Sequence, residues 1–250
     1  MLRQRLDSLA EHEALEYLLS IQLAKIGLSE WNVVNNVSGA FGAFRRSFLQ
    51  KIGGWDTHTA EDLDITLRIK NYFGRRPLRI PFEPRAIGHT DAPVTFRQFL
   101  MQRLRWDGDL FFLYVRKHRH SFTPRLLGWP NFLVVLVSGF FFQLVLPFII
   151  LGYFIVGLYS LTLSTFLVLA WLVYLVYLAN TLLAYVVAVC MVSERPRQDL
   201  WLCWVVPLFP LFMFVMRCWS AVAILNEMIR RGHEETSMAP WWVLRKAKRF

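Results

Sequence analysis

Between Leu126 and Ser193 the 250-residue chain has no Asp, Glu, Lys or Arg, a run of 68 uncharged residues. As helix, at about 1.5 Å per residue, it reaches about 100 Å, roughly three times the ~30 Å hydrocarbon core of a bilayer. An ordinary soluble globule and a disordered tail are therefore excluded. Cysteine is scarce: Cys190, Cys203 and Cys218 lie in or beside apolar segments and lack C-x-x-C spacing. That excludes a disulfide scaffold and a zinc site, and predicts three small residues buried within helices. The first 21 residues have no unbroken apolar core, being interrupted by Arg3, Arg5, Asp7, Glu11, Glu13 and Glu16. They lack the form of a signal peptide, so the polar part of the chain is expected to stay in the cytoplasm. No internal repeat or low-complexity linker is present.

Charge is concentrated elsewhere. Residues 1–125 hold 19 of the 28 Lys+Arg and 13 of the 18 Asp+Glu, within a net charge of +10. The basic clusters are Arg116-Lys117-His118-Arg119-His120 with Arg125, then Arg195 and Arg197, then the stretch from Arg245 to Arg249. All border apolar segments, which predicts the cytoplasmic face of a membrane and contact with anionic lipid, and argues against nucleic acid as a partner.

Periodicity predicts a helix over 4–27, with Leu15, Leu18, Leu19, Leu23 and Ile26 on one face and Gly27 as its stop. Val33 to Phe44, with Gly39 and Gly42, suits a buried strand or a close backbone approach. One or two helical turns follow to Ile52, ended by Gly53-Gly54; Thr59 is a candidate cap for a helix over 60–72, closed by Gly74. Short strands are expected at 78–82 and 85–89, and a basic, aromatic-faced helix over 94–117 that suits the membrane interface. Three apolar spans follow: Phe132 to Tyr159, broken by Pro147; Leu161 to Val192; and Leu200 to Leu225, with Pro207 and Pro210 inside it. A re-entrant segment kinked at Pro147 or at Pro207/Pro210 would keep the basic C-terminus inside.

Three short motifs carry chemistry. Val37-Ser38-Gly39-Ala40-Phe41-Gly42 lets backbone approach a sugar or phosphate. Gly54-Trp55-Asp56, followed by Ala60-Glu61-Asp62-Leu63-Asp64, puts adjacent carboxylates at a helix start and supplies a candidate general base. In Gln102-Arg103-Leu104-Arg105-Trp106, an amide and a guanidinium three residues apart share a helix face and can grip an anionic leaving group; the indole can pack on a sugar ring.

In this order the motifs resemble the second half of a processive family-2 glycosyltransferase, the membrane group that includes cellulose, chitin, hyaluronan and poly-N-acetylglucosamine synthases. The matching elements are Ser38 to Arg46, Gly53 to Asp56, Glu61-Asp62 and Gln102-Arg105-Trp106, with apolar spans after them. The resemblance implies an α/β fold joined to membrane helices: the acceptor half of a GT-A type domain over 1–93, an interfacial helix over 94–125, a transmembrane region over 126–229 and a basic tail over 230–250. It implies Asp62, with Glu61 beside it, as the catalytic base of an inverting displacement. Gln102, Arg103 and Arg105 would bind the donor diphosphate; Ser38, Gly39, Ala40, Phe41 and Trp106 would bind the acceptor. His89 is a weak candidate metal ligand. The partners implied are a nucleotide-sugar donor, a glycan or lipid-linked acceptor, and the bilayer of the inner (plasma) membrane.

The family's donor half carries a D-x-D element for nucleotide and metal, and no D-x-D precedes Ser38 here. The expectation is therefore a fragment, or a chain that works with a separate donor-domain chain. Mg2+ or Mn2+ is expected in the complete enzyme, without a clear metal motif in this chain. An alternative is a non-catalytic membrane subunit that binds glycan or a partner chain. A small transporter is disfavoured, because Arg217 is the one charged residue near a span midpoint.

Overall fold

The computed structural model describes residues 2–57, 59–88, 92–93 and 95–231. In chain order the helices are α1 (Leu2–Tyr17), α2 (Ala24–Glu30), α3 (Arg46–Lys51), α4 (Glu61–Lys70), α5 (Phe96–Phe111), α6 (Pro124–Leu127), α7 (Trp129–Val134), α8 (Leu146–Ser160), α9 (Leu163–Met191), α10 (Pro196–Asp199) and α11 (Phe209–Arg230). Wider π-helical turns at Leu18–Leu23, Phe112–Lys117 and Val135–Val145 continue α1, α5 and α7, and 3₁₀ turns lie at Gly39–Phe41 and Leu200–Trp204.

The α/β expectation is not met: no strand forms among the described residues. A strand needs a neighbour for its hydrogen-bond ladder. The stretches at 33–44 and 78–82, and 85–88 where described, run as coil and single turns whose bonds go to local backbone and to side chains rather than to a neighbouring strand. Asn32 alone donates its amide to the Leu78 carbonyl (2.8 Å) and accepts from the Ile80 N–H (3.0 Å). The Val37 N–H goes to the Thr66 hydroxyl (3.0 Å).

Asn32 also corrects the first helix, which passes Gly27 and runs to Glu30. With φ +54°, Asn32 occupies the left-handed position, its N–H on the Ser29 carbonyl and that of Val33 on the Leu28 carbonyl. This Schellman ending suits Asn, whose short polar side chain tolerates that conformation.

The chain forms two compact units. One draws on Met1–Gly27, Phe82–Leu100 and Pro147–Trp219. In its core the expected face of α1 (Leu15, Leu18, Leu19, Leu23) packs on Tyr185, Ala188 and Val189 of α9 and on Leu202, Val205, Val206 and Phe209. The other unit draws on Leu28–Pro81, Met101–Leu146 and Ser220–Phe250. Its core joins Val34, Ile65, Ile69 and Ile80, with Phe44, Phe48, Leu49 and Phe73 around them.

Among the described residues, three helical segments are long and apolar enough to cross a membrane: Trp129–Ser160, Leu163–Met191 and Phe209–Arg230. The first is not broken at Pro147. The π-helical stretch before it gives a Leu146 N–H bonded to the Phe141 carbonyl, and such wide turns carry a helix past a residue that has no N–H to donate. The third begins later than the sequence predicts. Leu200–Trp204 is a 3₁₀ turn, and continuous helix starts at Phe209 with Pro210 in its first turn, where proline is tolerated. The cysteines are not buried: Cys190 and Cys203 are exposed and Cys218 is half-exposed. On a spanning helix the outward face meets lipid, so an apolar residue needs no protein cover.

Lys70, at the end of α4, is fully buried, and among the described residues its ammonium makes one long bond, to the Val33 carbonyl (3.4 Å). Burial brings its ammonium down from the usual 10.5 to about 7. The folded state thus binds fewer protons than the unfolded one between those values. The penalty is complete below about pH 7 and is relieved as pH rises toward 10. Lys70→Met should raise thermal stability in detergent by about 1–3 kcal/mol at neutral pH and flatten its rise with pH; a destabilised variant would contradict an uncompensated ammonium.

Candidate functional site

The second unit collects the motifs. At its centre is Asp62, in the first turn of α4, where the helix dipole favours a carboxylate. Its Oδ2 accepts from the Asn36 amide (3.1 Å) and its Oδ1 from the Leu63 N–H (2.7 Å). Gly39 backs directly on it: a Cβ there would stand 3.2 Å from the Asp62 Cβ and 3.4 Å from Oδ2. The Thr66 hydroxyl donates to the Asp62 carbonyl (2.6 Å) while accepting from Val37. The Ser38–Phe41 segment and the carboxylate, more than 20 residues apart, are thus held against each other. Phe41 is exposed, Ser38 is half-buried and Glu61 points to solvent.

The start of α4 differs from expectation. Thr59 does not cap it: Ala60 takes the N-cap position at φ +44° without a side-chain cap. The Thr59 hydroxyl donates instead to Asp109 Oδ2 of α5 (2.5 Å). That bond ties the loop before Asp62 to the helix of the third motif. On α5, Gln102 is half-buried, its Oε1 without a hydrogen-bond partner among the described residues, and Arg105 is exposed. The Arg103 guanidinium lies 4.8 Å over the ring of the partly exposed Trp106, a cation–π pair that occupies part of that ring. No hydrogen bond or ion pair links Asp62 directly to Gln102, Arg105 or Trp106 among the described residues.

Beneath Asp62 lies a network that no sequence motif announces. Asp64 is fully buried; its Oδ1 meets Lys117 Nζ (2.9 Å) and His118 Nε2 (2.7 Å), and its Oδ2 meets Arg68 Nε (2.9 Å). Burial alone would raise its carboxyl, but the His118 and Lys117 hydrogen bonds and the Lys117 and Arg68 charges outweigh it and hold it at about 2. Arg68 also donates to the carbonyls of Ile52 and Gly54, and Lys117 to that of Asp56 (3.0 Å). The Arg116–His120 cluster is therefore not simply a membrane-facing patch. Lys117 and His118 turn inward, and Arg116 pairs with the buried Glu227 of α11 (2.9 Å). The four-residue spacing of Asp64 and Arg68 is a readable signal; nothing local marks Lys117 or His118.

The helix of the third motif is also bound to the first and third spans. Ser220 donates to Asp107 (2.7 Å), and Gly108 lies against Glu227 and Ala223. The Tyr114 hydroxyl presses on Gly139, where any Cβ would fall 2.6 Å from it, and burial raises its pKa. Asn35, beside the first motif, donates to Ser138 (2.8 Å). Among the described residues no group of three or more His, Cys, Asp or Glu is arranged to hold a metal ion. His89 lies outside the described residues.

These features are those of a membrane protein whose motif-bearing helices are tied to its apolar spans. The chain belongs to the glycosyl transferase family group 2, whose family model matches residues 4–243. It is 35% identical over 85 residues to "Probable glycosyltransferase YdaM" of Bacillus subtilis (strain 168), covering 34% of this chain and 19% of that protein. It is 29% identical over 106 residues to "Poly-beta-1,6-N-acetyl-D-glucosamine synthase" of Staphylococcus epidermidis, covering 42% of this chain and 25% of the relative. The same enzyme of Staphylococcus aureus (strain N315) matches to the same extent. The match spans about a fifth to a quarter of these relatives' length. No solved structure matches the chain.

Proposed function

We propose that this chain forms the acceptor side and membrane part of an inverting hexosyltransferase. It acts at the inner (plasma) membrane with its polar domain in the cytoplasm, and extends a polysaccharide or lipid-linked acceptor from a nucleotide-sugar donor. The observation that carries this reading is Asp62, aimed by Asn36 and Leu63 and set against Gly39 of the acceptor motif. In a single displacement the acceptor hydroxyl attacks C1 of the donor sugar. Its proton passes to Asp62, the bond from C1 to the diphosphate oxygen breaks, and the nucleoside diphosphate leaves with that electron pair.

Gln102 and Arg105 would grip the leaving diphosphate, with Arg103 completing the basic face, and Trp106 would pack on the acceptor. A divalent ion, Mg2+ or Mn2+, would offset diphosphate charge. The described residues provide no ligand set for it, so its carboxylates would belong to a donor half outside them, on a separate chain or the same polypeptide.

Membranes carrying the protein together with its donor half, given nucleotide-linked N-acetylglucosamine, should release nucleoside diphosphate in step with sugar incorporation. Arg105→Ala should raise the donor KM about 10–100-fold, the scale of a lost charge-assisted hydrogen bond pair, and leave the acceptor KM unmoved. An unchanged donor KM would reject the diphosphate assignment.

A further inference from the structure

The Asp64 network orders more than the helix that bears Asp62. Trp55 sits between two clamped carbonyls: Arg68 holds that of Gly54, and Lys117 holds that of Asp56 (3.0 Å). Both cations rest on Asp64. A second Arg68 bond, to the Ile52 carbonyl (2.9 Å), fixes the start of the turn. Gly53 and Gly54 take φ of +84° and +66°, which few other residues adopt. The backbone is thus pinned from below by a buried carboxylate and two cations, and the residue it displays is an indole that remains 52% exposed.

The side chain of Trp55 meets the ring of Phe44 edge-on, at 6.2 Å and 88°. The adjacent Asp56 is exposed. Burying tryptophan is strongly favourable, and packing within the described residues leaves half of this one uncovered, open to a ligand. The turn lies outside the three candidate spans, with Lys51, Asp56 and Arg46 exposed nearby in sequence. A flat apolar face with a donor at its rim, next to a carboxylate, is chemistry that fits a pyranose. The ring takes the C–H face of the sugar, while N–H and carboxylate take its hydroxyls.

We propose that Trp55, with Asp56, is a saccharide platform for a unit of the acceptor glycan beyond the one that reacts. Phe44 gives the direction, since it lies in the same stretch as Ser38–Phe41, which backs on Asp62. Because the network freezes the turn in advance, little ordering cost falls on binding. The platform rests on the acceptor reading above and adds a second contact to it.

The test uses β-1,6-linked N-acetylglucosamine oligomers of increasing length with the intact membrane protein. Trp55→Ala should raise the acceptor KM about tenfold for long oligomers, the scale of one lost aromatic contact. The shortest acceptor, kcat and inhibition by nucleoside diphosphate should be unmoved, and Trp55→Phe should restore most of the affinity. Equal KM values at every length, or a fall in kcat alone, would overturn the platform. Donor-free binding of the same oligomers, read by saturation-transfer NMR on wild type and Trp55→Ala, separates the two readings. Binding that depends on Trp55 upholds the platform even where transfer is absent. Binding indifferent to Trp55, beside measurable transfer, rejects the platform and leaves the acceptor reading standing.

Discussion

Asp62→Asn should lower sugar transfer by about 10²–10⁴-fold, the usual contribution of a positioned general base, while leaving membrane insertion intact. The carboxamide keeps the shape of the side chain and one oxygen to accept from Asn36 or Leu63, so the fold around it is preserved. What it loses is a group able to take the acceptor proton. The carboxylate is well placed to do so, because hydrogen bonds reach both oxygens and Gly39 leaves no side chain between it and the first motif. Incorporation of labelled sugar into membranes, measured beside nucleoside diphosphate affinity, checks the result. Turnover near the wild-type level would remove Asp62 from the mechanism.

The second large effect belongs to Asp64. Asp64→Ala takes the shared counter-charge from Lys117 and Arg68, and a hydrogen-bond partner from His118, in a fully buried position and should destabilise this unit by about 3–5 kcal/mol, as breaking a buried ion pair does. Asp64→Asn, which still offers one acceptor oxygen, should cost less. The pH dependence follows from a folded carboxyl at about 2 against 3.8 unperturbed. The group binds fewer protons in the folded state, so its stabilisation is complete above about pH 4 and is lost as pH falls toward 2. At about 1.4 kcal/mol per pKa unit it amounts to roughly 2–3 kcal/mol. Thermal unfolding in detergent between pH 2 and 6 measures it; an Asp64→Asn protein with an unchanged acid limb would show that the carboxylate is not the source.

Residues that repeat or alternate are legible in the sequence; those that meet across long separations are not. The face of Leu15, Leu18, Leu19 and Leu23 follows from helical spacing and packs as expected. Gly53-Gly54 ends α3 because positive φ is written into those residues. Gly27 does not stop its helix, because a glycine inside a helix is only a modest cost, whereas Asn32 takes a bond pattern that ends it. The expected strands do not form: β-branched composition invites pairing, yet side chains such as Asn32 and Thr66 take bonds a partner strand would have made. Thr59 has the position of a cap, but Asp109, 50 residues on, draws its hydroxyl away. Likewise Lys117 and His118 have the pattern of a surface cluster, while Asp64, more than 50 residues earlier, gives them a buried counter-charge.

The bonds from Ser220 to Asp107 and from Arg116 to Glu227 join residues 113 and 111 positions apart. A ribosome adding about 5–20 residues per second needs roughly 5–20 s to cover that distance. During that interval the helix bearing Gln102 and Arg105 has been made and can meet Thr59, but lacks the two partners that tie it to the last of the described spans. The motifs are thus translated early and locked late, because these two bonds can form only after the Phe209–Arg230 helix has been made. A nascent chain halted before Ser220 would display every motif and still be unfinished.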